Sequence, residues 1–375
     1  MSIHLVSNHT KVIIIAIYVW LTNWYNFYKE IRGGDFLKKI KIGQIGIAHN
    51  HGEDKMLAVR KFPELFEVVG YAEKDSEWIK KRGGKAGYQN LQLYSEDELI
   101  EKCDAILVET DIWDLTETAK KCVEAGKHIH LDKPASGTLS EYKHVLDVAK
   151  QKNLVVQLGY MYRYNEAIKK CISEVKKGNL GEIYSINAEM STFHPVNYKK
   201  WLTNFKGGIM YILGSHMVDL IVYLLGEPKN VTSYLKHTCL DGVDFEDNNL
   251  AVLEYDKALA RIYISSVEVN GFGRRQFVVS GSKGTIDIKP IERPCCIAYS
   301  DKETAKTYAD CKTLEIIEED SVSSRYDQMM KDFYSYIVGE SKNPFTYEHD
   351  YTVQKVLDKI VGGVGFNGKE TITNW

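Results

Sequence analysis

The chain has 375 residues, 44% of them hydrophobic and 26% charged, with a formal net charge of -3; this is the balance of a globular protein of two or three domains, not of a disordered or fibrous one. So small an acidic excess, with a pI near 6.4, argues against a nucleic-acid binder, which would carry a basic face. Seven scattered cysteines with no Cys-x-x-Cys pair make no disulfide framework and point to a reducing cytoplasm.

Residues 1–37 differ in character from the rest of the chain. Val12 to Leu21 is a short apolar run, about half of what a membrane-spanning helix needs. Only Lys11 directly precedes it and no small-residue cleavage site comes after it, so a signal peptide is a poor fit. The segment is read as a dispensable extension outside the fold, and no membrane association is expected.

From Lys38 the pattern sharpens. Ile40 to Ile47 reads as a buried strand that runs into Gly46-Ile47-Ala48-His49-Asn50-His51-Gly52 and then a helix from Glu53 to Phe62. A strand, a tight turn and a helix N-terminus make an anion site, because orphan N–H groups and the helix dipole point at a phosphate. A dinucleotide fingerprint asks for Gly-x-Gly-x-x-Gly; here Ala48 and His51 stand at the second and third glycines. Glu67 to Ala72 predicts a second strand, and Glu73 at its end is placed to accept from both ribose hydroxyls of NAD. Lys74 beside it leaves NADP open. A strand from Ala105 to Thr110, a helix from Leu115 to Ala125, a strand from His128 to Lys133, a helix from Leu139 to Lys150 and a strand from Val155 to Tyr160 continue the alternation. Such alternation calls for a doubly wound parallel sheet over residues 38–160. Lys133-Pro134 would leave an ammonium at the strands' carboxyl edge, where open α/β sheets bind ligands. Partial burial there can lower a lysine's pKa toward neutrality.

Beyond Met161 the runs change character. Ile183–194, Val231–237, Leu250–255, Leu259–267, Gln276–280 and Thr285–288 alternate apolar and polar residues between tight turns, as in antiparallel hairpins. Residues 161–375 are therefore read as an α+β domain with a large, mostly antiparallel sheet. Helices over 214–225, 324–338 and 351–361 accompany it, the last two free to pack back on the first domain. Tyr263, Val267 and Val278 mark the open sheet face as a dimer surface. Arg163 offers a fork of donors for hydroxyls or a carboxylate. In the helix after Gly214, His216, Asp219 and Tyr223 share a side opposite the stripe of Met217, Leu220, Ile221 and Leu224. Phe193, Tyr198, Trp201 and Phe205, with His194, form an aromatic group fit either to cover a sugar ring or to join the core. His49/His51 and His128/His130 lack a third ligand at zinc-like spacing, so no metal site is expected.

The sequence resembles the glucose-fructose oxidoreductase, inositol dehydrogenase and rhizopine-catabolism superfamily from Lys38 onward. The resemblance rests on Gly46 to His51 after a strand, on Ala125-Gly126-Lys127-His128 leading to Asp132-Lys133-Pro134, and on Gly159 with Arg163. It continues through Gly178 to Ile183, Gly207-Gly208 followed by His216 and Asp219, and Ser280 to Gly284. It implies a Rossmann-type domain that binds NAD or NADP through Gly46, Ile47, Ala48, His49, Asn50, His51, Glu73, Thr110, Asp132 and Lys133. It also implies hydride transfer from a carbinol of a sugar, cyclitol or related polyol. Lys133 and His216 would be catalytic, the histidine taking the hydroxyl proton, with Tyr160, Arg163, His194 and Asp219 toward the substrate. A homodimer or homotetramer through the C-terminal sheet is expected. Besides Ala48 and His51, three positions depart from the pattern: Asp132 where Glu is usual, Ile212 where an Asp commonly precedes the histidine by four residues on the same helical face, and Leu115 at a usual His. These keep two alternatives open: an NAD-retaining glycoside-cleaving enzyme, and a non-catalytic sugar or nucleotide sensor.

Overall fold

The first strand, β1 (Ile40–Ile45), buries nearly every side chain, as a central strand covered on both faces must. It pairs in parallel with β2 (Phe66–Ala72) on one side and β4 (Ala105–Val108) on the other. With β3 (Gln92–Tyr94), β5 (His128–Leu131) and β6 (Val156–Leu158) they make a six-stranded sheet of order β3-β2-β1-β4-β5-β6. The helices α1 (Gly52–Arg60), α2 (Ser76–Arg82), α3 (Glu96–Lys102), α4 (Leu115–Glu124) and α5 (Leu139–Gln151) supply the crossovers. Two of them start with capping boxes, Ser95 with Glu98 and Thr138 with Glu141, which satisfy N–H groups that a helix start leaves open. The order reverses at β1, and the crevice beyond the carboxyl ends of β1 and β4 is the place such sheets offer a ligand. The computed structural model describes residues 38–292, 294–302, 313–317 and 321–366; the expected extension over 1–37 lies outside the described residues.

After α6 (Glu166–Lys176) the chain builds a second sheet of eight strands: β7 (Ile183–Glu189), β8 (Asn230–Lys236), β9 (Asn248–Glu254), β10 (Leu259–Ser265), β11 (Gln276–Gly281), β12 (Gly284–Ile288), β13 (Cys295–Asp301) and β14 (Thr313–Ile317). Their order is β14-β13-β12-β11-β7-β10-β9-β8, antiparallel except for the β7–β10 pair. Ile186, Ala188, Leu253, Ile262, Phe277, Val279 and Ile286 are buried on one face, where α8 (Ser215–Leu225) packs. The short helix α7 (Val196–Leu202) precedes α8. The chain ends, among the described residues, with α9 (Val322–Val338) and α10 (Tyr347–Val361). The former packs on α1 and the latter lies between α5 and α8, so both helices run back onto the first sheet's layer.

The expected α/β plus mostly antiparallel architecture is what the chain adopts, with local differences. The strand expected to reach Tyr160 stops at Leu158, because Met161–Tyr164 turns as a 3-10 segment. The one expected over 183–194 stops at Glu189, leaving only an isolated bridge from Phe193 to Val267. The structure adds β3, β13 and β14, and also α2, α3, α6 and α7, to the expected elements; β13 and β14 lie at one border of the second sheet and β3 at the edge of the first, where half-exposed side chains blur the period of two. No helix among the described residues is long and apolar enough to cross a membrane.

Candidate active site

Gly46 opens the turn after β1 with φ +86°, and a Cβ there would lie 2.4 Å from the Thr110 backbone. Only glycine allows the β1 and β4 ends to touch while the chain bends left-handed. Glu73, at the end of β2, accepts from Ile47 N (2.9 Å) and Asp75 N (3.0 Å), and burial raises its pKa. A carboxylate offers about four lone-pair sites, so these two bonds leave Glu73 able to accept more. It lines a cavity of about 130 Å³ with Gly46, Ala48, Thr110, Asp111 and Trp113. Asp111 is pushed up to about 6 by burial.

A second cavity, of about 200 Å³, shares Ala48 and Asp111 with the first and continues past His49, Asn50, His51 and Lys133 to His216. The two, sharing Ala48 and Asp111, lie as a trough along the strands' carboxyl edge beside the helix N-terminus at His51–Gly52, where a dinucleotide's phosphates are favoured. The residues present therefore fit NAD, with the acidic end at Glu73 suited to a ribose and the Lys133–His216 end to the nicotinamide.

Beneath the turn lies a buried ionic cluster. Lys55, from α1, bonds Asp132 (2.7 Å) and Glu109 (2.8 Å). His49 Nδ1 stands 2.7 Å from Asp132 Oδ2, so its proton sits on Nδ1, since an ionised carboxylate only accepts. Burial opposes the Asp132 charge, but His49 and Lys55 overcome it and hold the group well below the usual range. Glu109 goes the other way, raised by burial against the pull of Lys55. Gly159 makes room: a Cβ there would meet Asp132 Oδ1 and Lys55 Nζ at 2.9 Å. His49, Glu109 and Asp132 converge closely enough to hold a metal ion, but the Lys55 ammonium already bridges the two carboxylates.

Lys133 comes next in the chain. Its N–H donates to Asp132 Oδ1 (2.6 Å) and its ammonium to the Ile212 carbonyl (3.0 Å). Desolvation lowers its pKa to about 8, against the pull of Asp132. Ile212 sits in a π-helical turn, Met210–Gly214, a geometry that recurs at functional sites. Its carbonyl also accepts from Ser215 Oγ (2.9 Å). Thus the position that lacks the usual aspartate still faces Lys133, through main chain instead of side chain. His216, on α8, lines the same cavity. Its pKa falls well below 6.5, first through burial and then through Lys133 and His51. Its Nδ1 has no hydrogen-bond partner among the described residues, and its ring meets Tyr160 and Tyr162 edge-on at 5.7 and 5.0 Å.

Of the expected cofactor and catalytic residues, Ala48, His49, Asn50, His51, Lys133 and His216 line the larger cavity, while Gly46, Glu73 and Thr110 line the smaller. Ile47 and Asp132 lie behind them. The four residues expected at the substrate are not among those lining the cavity. Tyr160 backs His216, and His194 stacks on Tyr198 at 4.5 Å. Arg163 and Asp219 are a correction: Arg163 forks onto Asp219 (2.6 and 2.9 Å) and Asp350 (2.7 Å), and His349 completes the group at 2.9 Å from Asp219. A buried guanidinium takes carboxylates wherever the fold supplies them, and α10 supplied one that local spacing could not reveal. Asp219 therefore bonds there and not to His216, and Tyr223 turns to Phe345 and Lys176. Of the aromatic group, Tyr198 and Trp201 line the cavity, Phe205 is core and Phe193 is exposed.

Sequence reasoning missed Lys55, Glu109, Tyr162, Arg275 and Glu292. Glu109 alone carried a signal, a carboxylate ending an all-apolar strand. Tyr162, Arg275 and Glu292 line the far end of the cavity. There the Tyr162 hydroxyl bonds Glu292, and Glu292 pairs with Arg325 at 3.3 Å.

Comparison with known proteins agrees with this fold. Residues 40–160 match the model of an oxidoreductase family with an NAD-binding Rossmann fold, and residues 168–287 match the GFO/IDH/MocA C-terminal domain. An oxidoreductase of Schizosaccharomyces pombe is 25% identical over 60% of this chain and 64% of its own. Myo-inositol 2-dehydrogenase of Thermotoga maritima is 25% identical over 66% of this chain and 74% of its own. The structure of a levoglucosan dehydrogenase in complex with NADH and levoglucosan superposes with a TM-score of 0.73 at 19% identity, over 88% of this chain and all of that one. The chain spans less than two thirds of the length of the first curated relatives it matches, 64%, 63% and 57%. The two family matches together cover more than half of the sequence, and the chain belongs to the GFO/IDH/MocA family of NAD-binding, Rossmann-fold oxidoreductases.

Proposed function

We propose that this protein is an NAD-dependent dehydrogenase that oxidises a carbinol of a sugar, cyclitol or related polyol. The observation that supports this most is the shared cavity of Lys133 and His216, brought from the two sheets' layers to one end of the nucleotide trough. When bound, the nicotinamide supplies the hydride acceptor. His216, neutral because burial and Lys133 suppress its charge, accepts the hydroxyl proton. The Lys133 ammonium, oriented by the Ile212 carbonyl, donates to the same oxygen as negative charge develops on it. Tyr162, Tyr198 and Trp201 wall the cavity and keep water from the reacting carbon.

The acidic surroundings of the ribose end, Glu73, Asp75, Asp111 and Asp114, repel a 2′-phosphate and favour NAD over NADP; Lys74 is drawn to Asp114 at 3.3 Å. With this reading, residues 38–160 hold the cofactor, and residues 161–375 hold the substrate and pair two copies through the open face of the second sheet. The myo-inositol and levoglucosan dehydrogenases among its relatives motivate the choice of test substrates. A polyol panel is assayed for NADH absorbance, with NAD and NADP in parallel. Turnover of at least one neutral or acidic sugar or cyclitol with NAD is expected. Nucleotide and sugar binding without turnover points to the sensor instead, and release of an aglycone from a glycoside without net NADH points to the glycoside-cleaving enzyme.

A further inference from the structure

Arg275, just before β11, is 7% exposed and lines the cavity that holds Lys133 and His216. Its guanidinium donates to three neutral acceptors: the Ser191 carbonyl through Nε (3.3 Å), the Tyr162 hydroxyl through Nη1 (3.2 Å) and the Thr192 hydroxyl through Nη2. Its face lies 4.5 Å from the Phe272 ring centroid. Arg82, equally buried, is taken up by the turn itself, donating to the Ile47, Ala48 and His49 carbonyls and to Asn50 Oδ1, whereas two further buried arginines of the supporting network have carboxylates. Arg163 has Asp219 and Asp350, and Arg325 has Glu292. Arg275 has no carboxylate within ion-pair distance among the described residues.

A guanidinium has five N–H donors, and the three bonds just named leave two. A full charge removed from water and answered only by dipoles is costly unless a ligand brings the opposite charge. The rest of the cavity wall does not bring it. Glu292 is answered by Arg325, Lys133 adds a positive charge, and the histidines His49, His51 and His216 are all driven toward their neutral forms by burial. Asp111, the remaining acid of the wall, belongs also to the ribose end of the trough. The substrate end is thus positive by construction, and its fork of donors suits a carboxylate or phosphate far better than a hydroxyl.

We propose that Arg275 anchors an oxyanion carried by the substrate, so that the polyol oxidised here is a sugar acid or a sugar phosphate instead of a neutral sugar. This rests on the reading of the cavity as a polyol oxidation site. The Phe272 ring and Tyr162 hold the guanidinium plane toward the cavity, while Lys133 and His216 receive the reacting carbinol at its other end.

The test compares matched substrates with NAD: glucose, galactose and mannose against the corresponding hexuronates and hexose 6-phosphates. At least one anionic member is expected to exceed its neutral counterpart about tenfold or more in kcat/KM, mainly through KM, as a charged hydrogen-bond pair supplies. A preference for hexuronates identifies a carboxylate, and one for the 6-phosphates a phosphate ester. Arg275→Gln should bring the anionic-to-neutral ratio toward one, and Arg275→Lys should leave it in between. Because Arg275 also holds Ser191 and Thr192, the glutamine variant could lose its fold, and the wild-type ratio and the lysine variant then decide. Neutral sugars used as well as the anionic ones throughout, or an unchanged ratio in Arg275→Gln, overturns the proposal. If no substrate is turned over, it is the dehydrogenase reading that fails. Calorimetry of the NAD-loaded protein with glucuronate, glucose 6-phosphate and glucose then judges Arg275 alone: tighter binding of an anion supports it, and equal or absent anion binding overturns it.

Discussion

In the proposed mechanism Lys133 and His216 act as a pair, and their burial sets how that pair would respond to pH. Burial lowers the Lys133 pKa to about 8, so the ammonium is present below that value and lost as pH rises through it. His216, held well below 6.5, stays neutral across the same range and contributes no acid limb there. In the oxidative direction kcat/KM should therefore be level between about pH 6 and 7 and fall above about 8. In Lys133→Arg, whatever its rate, the alkaline fall should vanish, because guanidinium keeps its charge. A wild-type rate that climbs through pH 8 would instead make Lys133 the base. Lys133→Ala and His216→Ala should each reduce turnover by about two powers of ten or more, with nucleotide affinity measured by NADH fluorescence to separate binding from chemistry. Turnover unchanged in both removes them from the mechanism. Both residues were legible because each is embedded in a short motif, Asp132-Lys133-Pro134 and the segment after Gly207-Gly208. Arg275 was not, since nothing local distinguishes Arg274, which pairs with Glu268 at 3.3 Å, from the residue beside it.

At the level of elements, the strand-to-turn passage at Gly46 and the helix-to-helix link at Arg163 make contrasting demands. An alanine at Gly46 would face φ +86° and a 2.4 Å contact with Thr110 main chain, so the turn must move away from β4. Left-handed backbone alone costs about 1–2 kcal/mol for a residue with a Cβ, and the displaced turn is the one expected to hold the pyrophosphate. Gly46→Ala should thus weaken NADH binding about tenfold or more, read by fluorescence titration; an unchanged dissociation constant would mean the pyrophosphate lies elsewhere. Asp219→Ala leaves Arg163 buried with Asp350 alone and should cost about 3–5 kcal/mol of stability, measured by urea unfolding. If KM for the best substrate stays level in that variant, the correction of Arg163 and Asp219 from substrate contacts to framework holds. The same contrast explains what the sequence disclosed. Five of the first sheet's six strands could be read between Ile40 and Leu158 because buried parallel strands and their turns are local patterns; the short edge strand β3, with two of its three residues exposed, could not. The Arg163–Asp350 pair spans 187 positions, and no periodicity reports such a partner. β13 and β14 escaped for a different reason: Leu314 and Ile316 are apolar yet 64% and 53% exposed, so their alternation does not separate inside from outside.

For the whole molecule, those same two residues belong to a larger surface. On β8, β9, β10, β11 and β14 the face opposite α8 carries Tyr234, Leu250, Val252, Leu259, Tyr263, Val278, Leu314 and Ile316, set side by side by the register, with Tyr234 opposite Leu250 and Tyr263 opposite the same residue on the other side. Tyr234 is 54% and Leu259 57% exposed. Polar Ser185, Asn187 and Glu189 of β7 part the β8–β10 group from Val278 and the β14 pair, yet monomeric proteins seldom leave so many large apolar side chains of one sheet face to water. A two-fold axis through the sheet would cover it with the same face of a second copy, since an isologous interface needs a self-complementary patch. The arginine and acid that lie within this face, Arg261 opposite Val252 and Glu189 opposite Tyr263, already pair at 2.6 Å within one chain and so do not oppose the approach. Sedimentation velocity at micromolar concentration should show a dimer or a tetramer built from it. Leu259→Lys, which puts an ammonium on that face at the start of β10, should shift the population to monomer by about tenfold or more in dissociation constant. NADH affinity should stay level in this variant, because β10 meets the nucleotide trough nowhere among the described residues. A wild-type chain that sediments as a monomer at these concentrations, or a lysine variant that remains dimeric, would place the association surface elsewhere.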